Sequence, residues 1–171
     1  MPPRRVMTLI LICAIVVGVD QFSKYLVSKN LELNSSFNLV GSILRLTYIR
    51  NPNAAFGLSF GRGVPLLPFA LLAICVLLLA FFKTGSRGGV GLAGLGLVLG
   101  GALGNLIDRI RFNEVVDFVD IGIGKFRWPV FNVADSCVTI GVILLILGSL
   151  LFRGREVTVL EREQSDLTAG S

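Results

Sequence analysis

The sequence of 171 residues contains no histidine and only three cysteines. The lack of histidine excludes a serine–histidine catalytic pair and any histidine-ligated zinc site. The cysteines, Cys13, Cys75 and Cys137, are odd in number and scattered through apolar runs, which argues against a disulfide framework or a thiolate metal site. We therefore expect all three to be small buried hydrophobic residues.

Charged residues are also scarce, at 16% of the chain, against roughly 25% in typical soluble domains. The mean hydropathy is +0.78, and 53% of the residues are hydrophobic. A soluble domain of this length cannot bury so much apolar surface, so lipid is the expected solvent. The net charge of +5 lies mainly beside apolar runs and forms no stripe, which indicates membrane anchoring and disfavours nucleic-acid binding.

Four apolar stretches approach the length of about 20 residues that a bilayer requires: 6–27, 64–82, 90–107 and 130–152. Arg4 and Arg5 precede the first stretch as in a signal peptide, but no small-residue cleavage site follows, so we expect a retained helix. Basic residues also flank the turn after the second stretch and the end of the fourth. The positive-inside rule then predicts that both termini are cytoplasmic.

The two predicted outer loops, residues 28–63 and 108–129, differ in character. In the first, residues 42–50 alternate and are rich in β-formers, and residues 55–60 are expected to pair with them across a turn at 51–53. The second is expected to rest partly in the membrane interface. The predicted fold class is an all-α membrane protein with four transmembrane helices. A small extracytoplasmic antiparallel β-sheet is predicted between the first two helices, on the membrane surface.

Two further patterns concern packing and domain organisation. Gly96, Gly100 and Gly104 recur at four-residue spacing in the third span, which predicts close packing against another helix. Residues 1–155 are expected to form one four-helix membrane domain, and residues 156–171 a polar cytoplasmic tail.

Nearly all ionisable side chains inside the predicted spans lie toward the outer membrane face. Asp20 lies about 21 Å along the first helix, and Lys24 follows one turn later. Each such group costs at least about 2.5 kcal/mol at membrane depth, so a cluster drawn from several helices indicates a site. The other polar residues of this cluster are Asn105, Asp108, Arg109, Asn132 and Asp135, with Asp117 in the loop before the last span.

Ion pairs that only hold helices together are one interpretation of part of this cluster. Asp20 has Lys24 at i+4, and Asp108 has Arg109 as its neighbour, so each carboxylate has a basic partner close in sequence. Asn51, like the other asparagines, is open to a capping or bridging role.

Asp117 and Asp135 have no basic residue at helical spacing, which favours a functional role. Other nucleophiles lack a facing base, since Ser23 and Lys24 diverge by about 100° on a helix and Cys137 has no base. Two carboxylates that share a site repel each other and hold a single proton. One then activates water while the other donates to the substrate carbonyl, which is aspartic-protease chemistry without metal or cofactor.

Two other classes of function stay open from the residues alone. A small transporter or proton relay would use the same buried carboxylates, but it predicts polar residues through the full membrane thickness, whereas the inner halves of these spans are apolar. A membrane scaffold whose outer loop binds a partner would leave Asp117 and Asp135 replaceable.

Five short blocks resemble, in the same order, those of the bacterial lipoprotein signal peptidase family, also called signal peptidase II. They are DQFSK at 20–24, NPNAAF at 51–56, GGALGNLIDR at 100–109, VVDF at 115–118 and FNVADS at 131–136. The blocks run in order from the first predicted span to the fourth, so the resemblance covers almost the whole chain. One departure is Asn53, where the family usually has glycine; asparagine tolerates a positive φ well, so we expect the turn to survive.

This resemblance implies a membrane aspartic endopeptidase of the bacterial inner membrane, with its active site near the extracytoplasmic face. Its substrate would be a diacylglyceryl-modified prolipoprotein, cut just before the lipidated cysteine beside membrane lipid. Globomycin-like cyclic peptides would inhibit it, and a monomer is expected. The resemblance implies Asp117 and Asp135 as the catalytic pair. The residues that it implies as support are Asp20, Lys24, Asn51, Asn105, Asp108, Arg109, Asn132 and Ala134.

Overall fold

The computed structural model describes residues 3–52, 72 and 89–149. In chain order the elements are helix α1 (Pro3–Asn30), strands β1 (Ser36–Val40) and β2 (Leu44–Asn51), helix α2 (Gly89–Phe112), strands β3 (Val115–Ile123) and β4 (Phe126–Arg127), and helix α3 (Val133–Ser149). Apart from residue 72, the predicted span at 64–82 lies outside the described residues, as do the segment 55–60, Asn53 and the tail at 156–171.

Helices α1 and α2 are long and apolar enough to cross a membrane, with 28 and 24 residues. At 1.5 Å per residue they extend about 42 and 36 Å, more than the roughly 30 Å of a hydrocarbon core. The first and third predicted spans are thus confirmed as apolar helices of spanning length. Helix α3 is apolar but shorter, and it begins at Val133 rather than at residue 130.

Helices α1 and α2 pack through the predicted glycine row. A Cβ atom on Gly96 would lie 2.7 Å from a side-chain carbon of Ile12, and one on Gly100 would lie 2.7 Å from Val16. Real Cβ atoms do not approach other atoms so closely, so at these two positions of α2 there is room beside α1 for a hydrogen atom but not for a side chain. A cluster of buried leucines also joins the two helices: Leu9, Leu92, Leu95, Leu99 and Leu106.

A second glycine row on α2, which the sequence did not reveal, faces α3. A Cβ atom on Gly94 would lie 2.8 Å from the carbonyl oxygen of Gly141, and one on Gly101 would overlap the carbonyl oxygen of Ala134. The backbone of helix α2 therefore lies in close contact with α1 on one side and with α3 on the other. This close packing brings its polar outer end next to the start of α3.

The β-sheet has four antiparallel strands in the order β1-β2-β3-β4. The predicted small antiparallel sheet is confirmed, but its placement between the first two helices alone is wrong, because β3 and β4 come from the second outer loop. Strand β2 pairs with β1 through residues 44–47 and with β3 through residues 44–51. Strand β3 escaped prediction because residues 115–118 are buried on consecutive positions and do not alternate.

The sheet is fixed to the membrane helices by a second apolar cluster. Val27 near the end of α1, Tyr48 of β2, and Val116 and Phe118 of β3 are all buried against one another. This contact holds β3 beside the outer ends of the helices, where the polar residues collect.

We predict that Gly101→Ala lowers the free energy of unfolding by about 1 to 3 kcal/mol, because the added methyl group must push α3 away from α2. Thermal unfolding in detergent micelles measures the change. The matched control is Gly18→Ala on α1, where an added Cβ would meet nothing within 4 Å. Equal unfolding temperatures for the two variants would contradict the packing argument.

Candidate active site

The polar cluster lies where α1, the C-terminal end of α2, strand β3 and the start of α3 meet. The structure brings the sequence-predicted residues together there, and most are almost completely buried. Asp20 and Asn132 have no exposed surface, and none of the following exceeds 8% exposure: Asp20, Lys24, Asn105, Asp108, Asp117, Asn132 and Asp135. At membrane depth such burial requires each polar group to find a partner.

The ammonium group of Lys24 lies at the centre of the α1–α2 part of the cluster. Its Nζ atom is 2.8 Å from Oδ2 of Asp20 and 2.9 Å from Oδ2 of Asp108, and it donates to Oδ1 of Asn105 at 2.9 Å. The predicted pairing of Asp20 with Lys24 is confirmed. The pairing suggested for Asp108 with Arg109 is wrong, because neighbours on a helix diverge; Arg109 instead makes a long contact to the carbonyl oxygen of Asn105 at 3.4 Å.

The two carboxylates bound by Lys24 also accept backbone N–H groups from neighbouring elements. Oδ1 of Asp20 accepts the N–H of Ala134 at 2.9 Å, and Oδ2 of Asp108 accepts the N–H of Val116 at 3.1 Å. Gln21 joins the two, since its Nε2 lies 3.2 Å from Oδ2 of Asp20 and 3.0 Å from Oδ1 of Asp108. Gln21 was not singled out from the sequence, although it lies in the 20–24 block.

Asp117 on β3 accepts hydrogen bonds from two side-chain amides. Nδ2 of Asn51 donates to Oδ2 at 2.9 Å, and Nδ2 of Asn132 donates to Oδ1 at 2.7 Å. A bulge in β2 makes the first contact possible. The register changes from Leu46 opposite Val119 to Ile49 opposite Asp117, so β2 contains one extra residue. Asn51, two residues beyond Ile49, thereby points to the same face as Asp117.

Asp135 lies in the first turn of α3, and its position follows from how that helix begins. The backbone N–H of Asp135 donates to Oδ1 of Asn132 at 2.9 Å, and the N–H of Asn132 approaches Oδ2 of Asp135 at 3.4 Å. This reciprocal arrangement is a capping box with Asn132 as N-cap, which explains why the helix starts at Val133. Nδ2 of Asn105 on α2 donates to Oδ1 of Asp135 at 2.8 Å.

The side chain of Asn132 links Asp117 to Asp135. Its amide nitrogen donates to Asp117, while its amide oxygen accepts the N–H of Asp135. Among the described residues, the groups that hydrogen-bond to the side chains of Asp117 and Asp135 are asparagine side-chain amides and one backbone N–H. In this respect they differ from Asp20 and Asp108, which contact a cation.

Burial raises the pKa of Asp117 from its ordinary value of 3.8 to about 6, and the nearby charge of Asp135 acts in the same direction. The hydrogen bonds from Asn51 and Asn132 and the charge of Lys24 oppose this increase. Asp117 can therefore hold or release a proton close to neutral pH, which suits a group that exchanges protons with a substrate.

A second buried carboxylate on β3, Asp120, lies outside this cluster and was not identified from the sequence. Nε of Arg127 on β4 lies 2.6 Å from its Oδ1, and the hydroxyl of Thr47 donates to its Oδ2 at 2.9 Å. The pairing of β3 with β4 brings these residues together, which sequence spacing alone does not indicate. Asp120 is thus a buried, ion-paired carboxylate on the same strand as Asp117, and it can be compared with the carboxylates of the cluster.

A family model described as signal peptidase (SPase) II matches residues 12–151 of the chain. The chain belongs to the signal peptidase II family. The lipoprotein signal peptidase of Syntrophus aciditrophicus is 40% identical over 150 residues, covering 84% of this chain and 93% of the relative. That of Halothermothrix orenii is 44% identical over 137 residues, covering 80% and 91%. A solved bacterial membrane enzyme is 36% identical, with a TM-score of 0.76 over 85% of this chain and 88% of its own.

The family that the five sequence blocks indicated is thus confirmed. The chain is an aspartic protease of the signal peptidase II type and a membrane enzyme. Membership of this family makes the polar cluster a candidate active site. An aspartic protease needs two neighbouring carboxylates, and this chain buries several carboxylates in one region.

The raised pKa of Asp117 predicts how the stability of the peptidase depends on pH. Asp117 is harder to ionise in the folded state than in the unfolded state. Its contribution to the free energy of unfolding is therefore fully present below its unfolded pKa and is lost as the pH rises through its folded pKa of about 6. Between pH 5 and 7.5 the wild type should therefore lose about 1 kcal/mol of unfolding free energy relative to Asp117→Asn. Denaturant titration of both proteins at the two pH values measures this difference, and parallel pH dependences would contradict it.

Proposed function

We propose that Asp117 and Asp135 are the catalytic pair with which this signal peptidase removes signal peptides from prolipoproteins. The removal of signal peptides follows from membership of the family. The observation that carries the assignment is the contrast in partners: among the buried carboxylates of the cluster, Asp117 and Asp135 are hydrogen-bonded by amides and joined through Asn132, whereas Asp20 and Asp108 share the ammonium group of Lys24.

The two carboxyl groups share one proton in the working enzyme, since neighbouring like charges cannot both ionise easily. The ionised member takes a proton from water as the water oxygen attacks the scissile carbonyl carbon, and the protonated member donates to the carbonyl oxygen. The peptide C–N bond then breaks as the carboxyl group that took the water proton donates it to the leaving amine, while the other carboxylate takes back the proton from the former carbonyl oxygen. Asn51, Asn105 and Asn132 orient the carboxylates through both steps without changing their charge.

The scissile bond in this proposal precedes a cysteine that already carries diacylglycerol. The apolar signal peptide lies among the helices, while the lipid chains remain in the adjacent bilayer. The position of the buried polar cluster at one end of the described helices supports this arrangement, because it places the scissile bond at an edge of the helix bundle. Asp20, Lys24, Asp108, Arg109 and the small residue Ala134 shape and support the site.

The chain crosses the bacterial inner membrane four times, with residues 1–155 as the peptidase domain, 156–171 as a cytoplasmic tail, and both termini in the cytoplasm. The active site then lies near the extracytoplasmic face. The exposed tips of the sheet support a position at a membrane–water interface, because Val40, Ile43, Ile123 and Phe126 are more than half exposed on two adjacent turns. Trp128 nearby is also exposed and suits a membrane–water interface.

The proposed partners are the diacylglyceryl-modified prolipoprotein and membrane lipid, and the enzyme works as a monomer without binding nucleic acid. Globomycin-like cyclic peptides inhibit it in this proposal by occupying the same space beside Asp117 and Asp135.

We predict that Asp117→Asn and Asp135→Asn each lower the rate of prolipoprotein cleavage by roughly 100- to 10,000-fold, the usual range for removal of a general acid or base. The assay follows processing of a lipid-modified prolipoprotein at matched amounts of enzyme in the membrane. Asp120→Asn is the control, because it removes a buried carboxylate of the same strand and should cleave at a rate close to the wild type. Normal cleavage by either of the first two variants would exclude the assignment.

Because the pair activates water by itself, we also predict that EDTA leaves the cleavage rate unchanged. The rate is measured with purified enzyme before and after dialysis against the chelator. Loss of activity that zinc restores would contradict the two-aspartate mechanism.

A further inference from the structure

Lys24 touches neither Asp117 nor Asp135 within hydrogen-bonding distance, yet its three contacts all lead toward them. Each hydrogen of the ammonium group has one oxygen acceptor: Asp20 at 2.8 Å, Asp108 at 2.9 Å and Asn105 at 2.9 Å. At 3% exposure, Lys24 has little access to water that could replace any of these contacts.

From each acceptor a second contact reaches the chain beside a catalytic aspartate. Asp108 accepts the N–H of Val116, the residue before Asp117, at 3.1 Å. Asp20 accepts the N–H of Ala134, the residue before Asp135, at 2.9 Å. The third acceptor, Asn105, donates from its other amide atom to Asp135 itself at 2.8 Å.

We infer that Lys24 is a positioning residue that sets the distance and orientation of Asp117 relative to Asp135 through these three routes. The inference rests on the proposed catalytic pair. Asp117 and Asp135 lie on separate elements, β3 and α3, and the N–H groups next to both are held by carboxylates that share one ammonium group. The geometry of the pair is therefore set by α1, although α1 contributes neither carboxylate.

A purely structural salt bridge would affect only how much enzyme folds, whereas a positioning residue affects the rate of the folded enzyme. An error of about 1 Å in the placement of reacting groups reduces the rate about 100-fold. We therefore expect Lys24→Met to lower kcat about 100-fold, with KM changed by less than about threefold, since substrate binding depends on other surfaces.

The experiment measures kcat and KM of the purified full chain in detergent micelles on a diacylglyceryl-modified prolipoprotein, with the folded fraction determined by thermal unfolding. Asp120→Asn is the matched control, because it breaks the buried Asp120–Arg127 ion pair at 2.6 Å without touching the three routes. It should lose stability but keep kcat within about twofold per folded molecule. A kcat for Lys24→Met that equals that of Asp120→Asn, per folded molecule, would overturn the inference.

Lys24→Met leaves two unpaired buried carboxylates, so a second variant guards against misfolding. The triple variant Asp20→Asn, Lys24→Met, Asp108→Asn is neutral and keeps an oxygen acceptor for each backbone N–H. Its kcat should still be reduced at least tenfold, and a wild-type kcat would overturn the inference. Asp117→Asn and Asp135→Asn are assayed beside it. If these two variants cleave normally, the assignment of the catalytic pair is wrong. If they are inactive while Lys24→Met is fully active, only the positioning role of Lys24 is wrong.

Discussion

The polar end of the described helices of this membrane enzyme depends on one buried ammonium group. An isolated charge costs several kcal/mol when it is removed from water, so Lys24 is stable only while oxygen atoms of both α1 and α2 surround it. The two helices must therefore approach closely, and the glycines between them permit this. The two carboxylates exceed the single positive charge by one, and the backbone N–H groups of Ala134 and Val116 stabilise the excess.

Ammonium and amide partners divide the buried carboxylates into two kinds. A carboxylate beside Lys24 contacts a positive charge, whereas Asp117 and Asp135 contact amides, which orient a carboxylate without neutralising its charge. The raised pKa of Asp117 shows the energetic consequence, because keeping that group buried and ionised weakens the fold near neutral pH. The packing of Val27, Tyr48, Val116 and Phe118 beside β3 helps to offset this loss.

Features that depend on local spacing could be predicted from the sequence. Examples are the apolar spans, the glycine row on α2 and the i, i+4 pair of Asp20 with Lys24. Features that depend on tertiary contacts could not. Strand β3 lacks the alternation that identifies a half-buried strand, and Asp108 has a basic neighbour in sequence but a different partner in space. The five ordered blocks identified the family, but spacing alone did not indicate that Asn132 joins Asp117 to Asp135.

The register of β2 beyond its bulge also limits how this segment can change in length. Deleting one residue between Leu46 and Ile49 would remove the bulge but keep Ile49 opposite Asp117 and Asn51 on the same face. Deleting one residue between Ile49 and Asn51 would instead turn the Asn51 side chain to the opposite face of the sheet, away from Asp117. An insertion in the exposed turn at 41–42 would leave that register intact. Length variation in functional homologues should therefore concentrate in the turn and at the bulge, and avoid the regular ladder that follows.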